Sequence, residues 1–88
     1  MPSIVTANLL RSGTVVYLTR TGQWVESLAR ADAAGTPDEL KHLEHLALGS
    51  VERNEVTAVY AFDVRIIDGR AEPTSVRERI RAAHAATV

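Results

Sequence analysis

Apolar and polar positions alternate in two short runs near the start of the chain, 4–10 and 14–20, both rich in Val, Ile, Thr and Tyr. Alternation with period 2 in such residues predicts β-strands. Between them Arg11-Ser12-Gly13 has the composition of a tight turn, so the pair predicts a β-hairpin. In the second run Val15, Tyr17 and Thr19 share one face, and Val16, Leu18 and Arg20 share the other. A second turn signal, Thr21-Gly22, leads into Gln23-Trp24-Val25 as a short third strand. The opening therefore predicts a β-meander.

Residues 26–34 follow neither period, although their alanines favour a helical turn, and Gly35 interrupts them. Thr36-Pro37-Asp38-Glu39 is the clearest local signal. Thr36 can cap the exposed backbone N–H groups, Pro37 suits the first helical position, and Glu39 completes a capping box. The helix is expected to run to about Arg53, with Leu40, Leu43, Ala47 and Val51 on the face that packs on the sheet and Leu46 beside it. After Asn54-Glu55 the pattern returns to period 2. Val56, Ala58, Tyr60, Phe62, Val64 and Ile66 alternate with Thr57, Asp63 and Arg65, which predicts a long strand with one buried face, ended by Asp68-Gly69. Pro73 and Ser75 introduce a last helix, with Ser75 as N-cap, Glu78 closing a second capping box, and Val76, Ile80 and Ala83 as the apolar stripe. The order β-β-(β)-α-β-α predicts an α+β domain in which helices cover a mostly antiparallel sheet.

Composition narrows the class without changing that picture. Eighty-eight residues make one domain, 1–88, since a chain this short cannot build two cores. Ten Lys and Arg stand against 11 Asp and Glu, a net charge of -1, whereas a domain built around nucleic acid carries a clear basic excess. With no cysteine, disulfides, thiolate metal sites and thiol nucleophiles are excluded. No apolar run reaches the length of a membrane span. The start Met1-Pro2-Ser3-Ile4-Val5 lacks the basic opening and long apolar stretch of a secretory leader, so the expected address is the cytoplasm.

Charge is nevertheless uneven. From Arg70 onward there are four Arg against two Glu, an excess of two. Arg77 and Arg81 lie four apart on the last helix, His84 follows on the same side, and Arg70 precedes it. Such a stripe suits an acidic partner or an anion, because the guanidinium fork matches carboxylates and phosphates. Basic residues near a helix C-terminus are also favoured by the helix dipole alone. Trp24, the only tryptophan, is a second candidate contact for a partner, against the plainer expectation that it packs in a core short of aromatics. His42 and His45 are three apart on the middle helix, but two imidazoles without further ligands do not make a stable metal site. There is no nucleophile elbow, phosphate-binding glycine loop or zinc-protease helix motif. Neither enzyme activity nor a cofactor is expected.

Three segments together resemble a known family. They are Ile4-Val5-Thr6-Ala7-Asn8; the run Gly13-Thr14-Val15-Val16-Tyr17-Leu18 leading to Gly22-Gln23-Trp24-Val25-Glu26; and Ser75-Val76-Arg77-Glu78-Arg79-Ile80-Arg81-Ala82-Ala83. They resemble a small bacterial domain of unknown function whose genes often lie beside those of assimilatory sulfite reductase. The chain departs from that pattern at Leu9, where the family often has a basic residue, and at His84-Ala85-Ala86-Thr87-Val88, where it tends to finish Gly-Pro-Thr-Val. The resemblance implies a setting, sulfate assimilation towards cysteine, and carries over no catalytic residue. It implies an accessory protein docking on sulfite reductase or its electron donor. A sensor or carrier of a sulfur oxyanion is the alternative. An unpaired sheet edge in so small a domain also suits a homodimer.

Overall fold

The computed structural model of the chain describes residues 2–87, and the side chains of all of these except 76 and 83–87. Five strands, β1 (Ser3–Leu9), β2 (Val15–Leu18), β3 (Trp24–Val25), β4 (Val56–Ile67) and β5 (Arg70–Pro73), form one sheet in the order β3-β2-β1-β4-β5. Every pairing is antiparallel. A 3₁₀ turn, Leu28–Arg30, and two helices, α1 (Pro37–Glu52) and α2 (Val76–Thr87), complete the chain. The α+β class and the mostly antiparallel sheet are those the sequence pattern predicts.

Both faces of the sheet are covered. On one face Val5 and Leu18 pack with Leu43 and Ala47 of α1 and with Ala34. On the other, Ile4, Tyr17 and Val64 pack with Leu28, Phe62 and Ala71, and the Tyr17 and Phe62 rings meet edge to face at 6.1 Å. Strand β1 lies between the two layers, so Ile4, Val5, Thr6 and Ala7 are all fully buried. Full burial of an apolar side chain of this size contributes about 1.5–3 kcal/mol, so this strand is a main anchor of the fold.

α1 forms where its capping signals place it. Thr36 Oγ1 accepts the Glu39 N–H at 3.2 Å, and Asn54 ends the helix at φ 59°. With Asn54 left-handed, its N–H reaches Val51 O and the Glu55 N–H reaches Ser50 O, which satisfies the last free carbonyls. The face of α1 toward the sheet is Leu43, Ala47 and Ser50 rather than one ending in Val51, which is 38% exposed. Ser50 takes that place because it accepts the Trp24 indole N–H at 3.0 Å.

Two features of β4 depart from the alternating pattern. Thr6 pairs with Tyr60 but Asn8 pairs with Thr57, so Ala7 faces two residues and Ala58 bulges outward at φ 56°. Beyond the bulge the phase shifts. Val59 and Ala61 then face α1, while Phe62 and Val64 face the other layer. Asp68-Gly69 does not end the sheet. At φ 52° and 76° the pair forms a two-residue hairpin turn whose twist suits paired strands, and β5 returns along β4 with Ile67 opposite Arg70. Arg70 thus begins an edge strand. Both sheet edges are short, since β3 has two residues and β5 stops at Pro73.

Candidate functional site: the β5–α2 face

α2 lies on the sheet face opposite α1, and the middle of the helix turns otherwise than expected. Ile80 is 54% exposed while Glu78 is only 8% exposed. The side facing the sheet is the polar arc of Glu78 and Arg81, and the expected apolar stripe points out at Ile80; Val76 and Ala83 lie outside the described side chains. The reason is on the sheet. Thr6, Asn8, Tyr17 and Tyr60 present polar groups to this layer, and hydrogen-bonding partners are what a buried polar surface requires.

Tyr60 donates its hydroxyl to both Glu78 carboxyl oxygens, at 3.0 and 2.9 Å. Arg81 Nη2 donates to Asn8 Oδ1 at 2.7 Å and, more weakly, to Ala7 O at 3.3 Å and Thr6 Oγ1 at 3.4 Å. Its guanidinium carbon stands 5.4 Å from the centre of the Tyr60 ring, within cation–π range. Two buried groups, Tyr17 Oη and Arg81 Nε, have no hydrogen-bond partner among the described residues. Burial raises the Tyr17 hydroxyl above its usual pKa of 10.0; Arg81 opposes this, and Glu78 and Tyr60 add to it. Tyr60 is raised too, first by burial and then by its bond to Glu78, against the pull of Arg81. This network joins α2 to β1 and β4. The second capping box is accordingly half formed: Ser75 Oγ accepts the Glu78 N–H at 3.2 Å, but the Glu78 side chain turns to Tyr60.

The four arginines of this segment therefore divide. Arg81 faces inward and is half-buried, so it does not continue an exposed stripe with Arg77. Arg70, Arg77 and Arg79 are exposed. Among the described residues the one ion pair is Arg53 with Glu55, so none of these three has a carboxylate at bonding distance. Arg79 Nε donates to Pro73 O at 3.0 Å. Arg70 and Arg79 border one open groove of about 390 Å³, with Leu28, Pro73 and Ala82. Ile66, near the tip of the β4–β5 hairpin and paired with Ala71 on this side of the sheet, is about half exposed. The resulting face is basic with apolar patches. Arg79 belongs to it as well, and its place follows once the polar arc of α2 is turned inward.

Of the remaining candidates, Trp24 is half-buried, packs against the cores on the α1 face and donates its N–H to Ser50. It pins the edge strand β3 to α1. The His84 side chain lies outside the described residues. His42 and His45 are exposed on α1, and among the described residues no three His, Asp or Glu side chains gather as a metal site would need. Among the described residues no helix is long and apolar enough to cross a membrane.

Comparison with curated proteins and with solved structures finds no match for the chain. A family model described as "Protein of unknown function (DUF2849)" matches residues 3–87. That match takes in every strand and both helices, and the chain belongs to the DUF2849 family.

Proposed function

We propose that this protein is a non-catalytic accessory that docks on another protein through its β5–α2 face. The setting proposed is cytoplasmic sulfite reduction towards cysteine, with sulfite reductase or its electron donor as the partner. One observation carries the docking reading: Arg70, Arg77 and Arg79 are exposed with no carboxylate partner among the described residues, while Glu78 and Arg81 of α2 bond inward to Tyr60 and Asn8. Exposed Ile80 and Ile66 supply the apolar contact that a purely ionic surface lacks. The setting rests on the sequence resemblance alone.

Binding of purified sulfite reductase and of its electron donor to the immobilised protein tests this. At low salt one of them is retained, and retention weakens as salt rises, because exposed charges are screened. Replacing Arg70, Arg77 and Arg79 together by Ala reduces affinity by about tenfold or more. No retention of either protein at low salt ends the sulfite-reduction reading.

A second reading has one observation in its favour, the placement of Arg70 and Arg79 on one groove. There they would hold a sulfur oxyanion, and the protein would act as its sensor or carrier. Sulfite or sulfate would then raise the melting temperature, and the rise would vanish in the Arg70→Ala, Arg79→Ala variant. An unchanged melting temperature at millimolar anion removes this reading.

A further inference from the structure

The groove between β5, α2 and the 3₁₀ turn has an apolar floor and a basic rim. Leu28 and Ala82 supply the floor, Arg70 and Arg79 the rim, and Glu72 is the single acidic neighbour. The bond from Arg79 Nε to Pro73 O fixes the guanidinium plane at one corner and leaves its terminal nitrogens to take a carboxylate. Pro73 has no N–H to offer a new strand at its end of β5, and the groups that answer a carboxylate here are the side chains of Arg70 and Arg79. Both arginines are exposed. A small inorganic anion would meet only screened charge in this open groove. A carboxylate carried on a peptide adds apolar contact with the floor.

We infer that this groove receives a short, extended acidic segment of the partner protein, whose carboxylates pair with Arg70 and Arg79 around an apolar side chain seated on Leu28 and Ala82. The inference rests on the docking reading and names the chemistry of its partner.

The test is a titration of ¹⁵N-labelled protein, followed by amide shifts, with the peptide acetyl-Thr-Val-Glu-Glu-Val-Glu-Thr-Val-amide. The same peptide with Gln for Glu, sodium sulfate and sodium sulfite serve as separate arms. The acidic peptide moves the amides of Leu28, Ala71, Arg79 and Ala82. The Gln peptide binds at least about tenfold more weakly, as does the acidic peptide to the Arg70→Ala, Arg79→Ala variant, whose spectrum otherwise overlays that of the parent. Equal binding of the Gln peptide, unmoved groove amides, or the same shifts from an inorganic anion alone at the same concentration would overturn the inference. If sulfite reductase is retained through the arginines while the peptide leaves the groove unmoved, this inference fails and the docking reading stands. If the peptide binds as described and neither sulfite-pathway protein is retained, the inference holds and the setting fails.

Discussion

Glu78 and Arg81 are the residues on which the structure of α2 turns. Glu78 is only 8% exposed, a carboxyl group is costly to bury unless hydrogen-bonded, and Tyr60 provides that bond to both of its oxygens. Tyr60→Phe should therefore destabilise the protein by about 1–3 kcal/mol, the cost of leaving a buried acceptor unmet, read as a lower urea midpoint. Arg81→Ala removes the guanidinium from Asn8, Ala7 and Thr6 and should cost about 1–2 kcal/mol. Arg77→Ala, at an exposed position with no hydrogen-bond or ion-pair partner among the described residues, should stay within about 0.5 kcal/mol. The two tyrosines add a pH dependence. Both have folded-state pKa values above 10.0, so above pH 10 the unfolded chain loses these protons first. Their stabilising effect is complete below that pH and is lost as pH rises through the folded values. Thermal melts between pH 8 and 12 should show stability falling at the alkaline end, and Tyr17→Phe should flatten that fall. A fall of equal steepness in Tyr17→Phe would contradict the assignment. None of this network was legible in the sequence. The usual rule turns the apolar side of a helix inward; it fails for α2 because the sheet beneath carries hydroxyl and amide groups.

Among the elements, those with complete local signals formed where expected. Thr36, Pro37 and Glu39 start α1, and the left-handed Asn54 stops it. Thr36→Ala should cost about 1 kcal/mol by freeing the Glu39 N–H, measurable as a lower melting temperature. Strand β5 was hidden because Arg70-Ala71-Glu72-Pro73 is too short to establish a period and holds no β-branched or aromatic residue; its one clue was Asp68-Gly69, a pair that favours a tight hairpin as much as a strand end. The bulge at Ala58 was hidden because alanine gives no sign of a positive φ. Ala58→Val would place a β-branched residue at φ 56° and should cost about 1–2 kcal/mol. An unchanged urea midpoint would show that β4 adopts another register.

At the scale of the whole molecule, the two faces of the sheet do different work. The α1 face is apolar from Val5 and Leu18 to Leu43 and Ala47, with the Trp24–Ser50 hydrogen bond at the end of the helix, and Leu43→Ala there should cost about 2–5 kcal/mol. The α2 face joins an apolar part around Ile4 and Val64 to the polar network, and outside it lie the arginines and Ile80. The sequence pointed to the right segment for a basic surface, since Arg70 and Arg77 face outward as expected, but helical spacing alone could not tell that Arg81 reaches back to β1. The central claim is that the outer side of β5 and α2 is the docking face. Hydrogen–deuterium exchange of the protein with and without purified sulfite reductase tests it most directly. The account predicts slower exchange in residues 65–82 on mixing, with α1 unchanged. Slower exchange confined to α1, or no change anywhere with sulfite reductase or its electron donor, would contradict it.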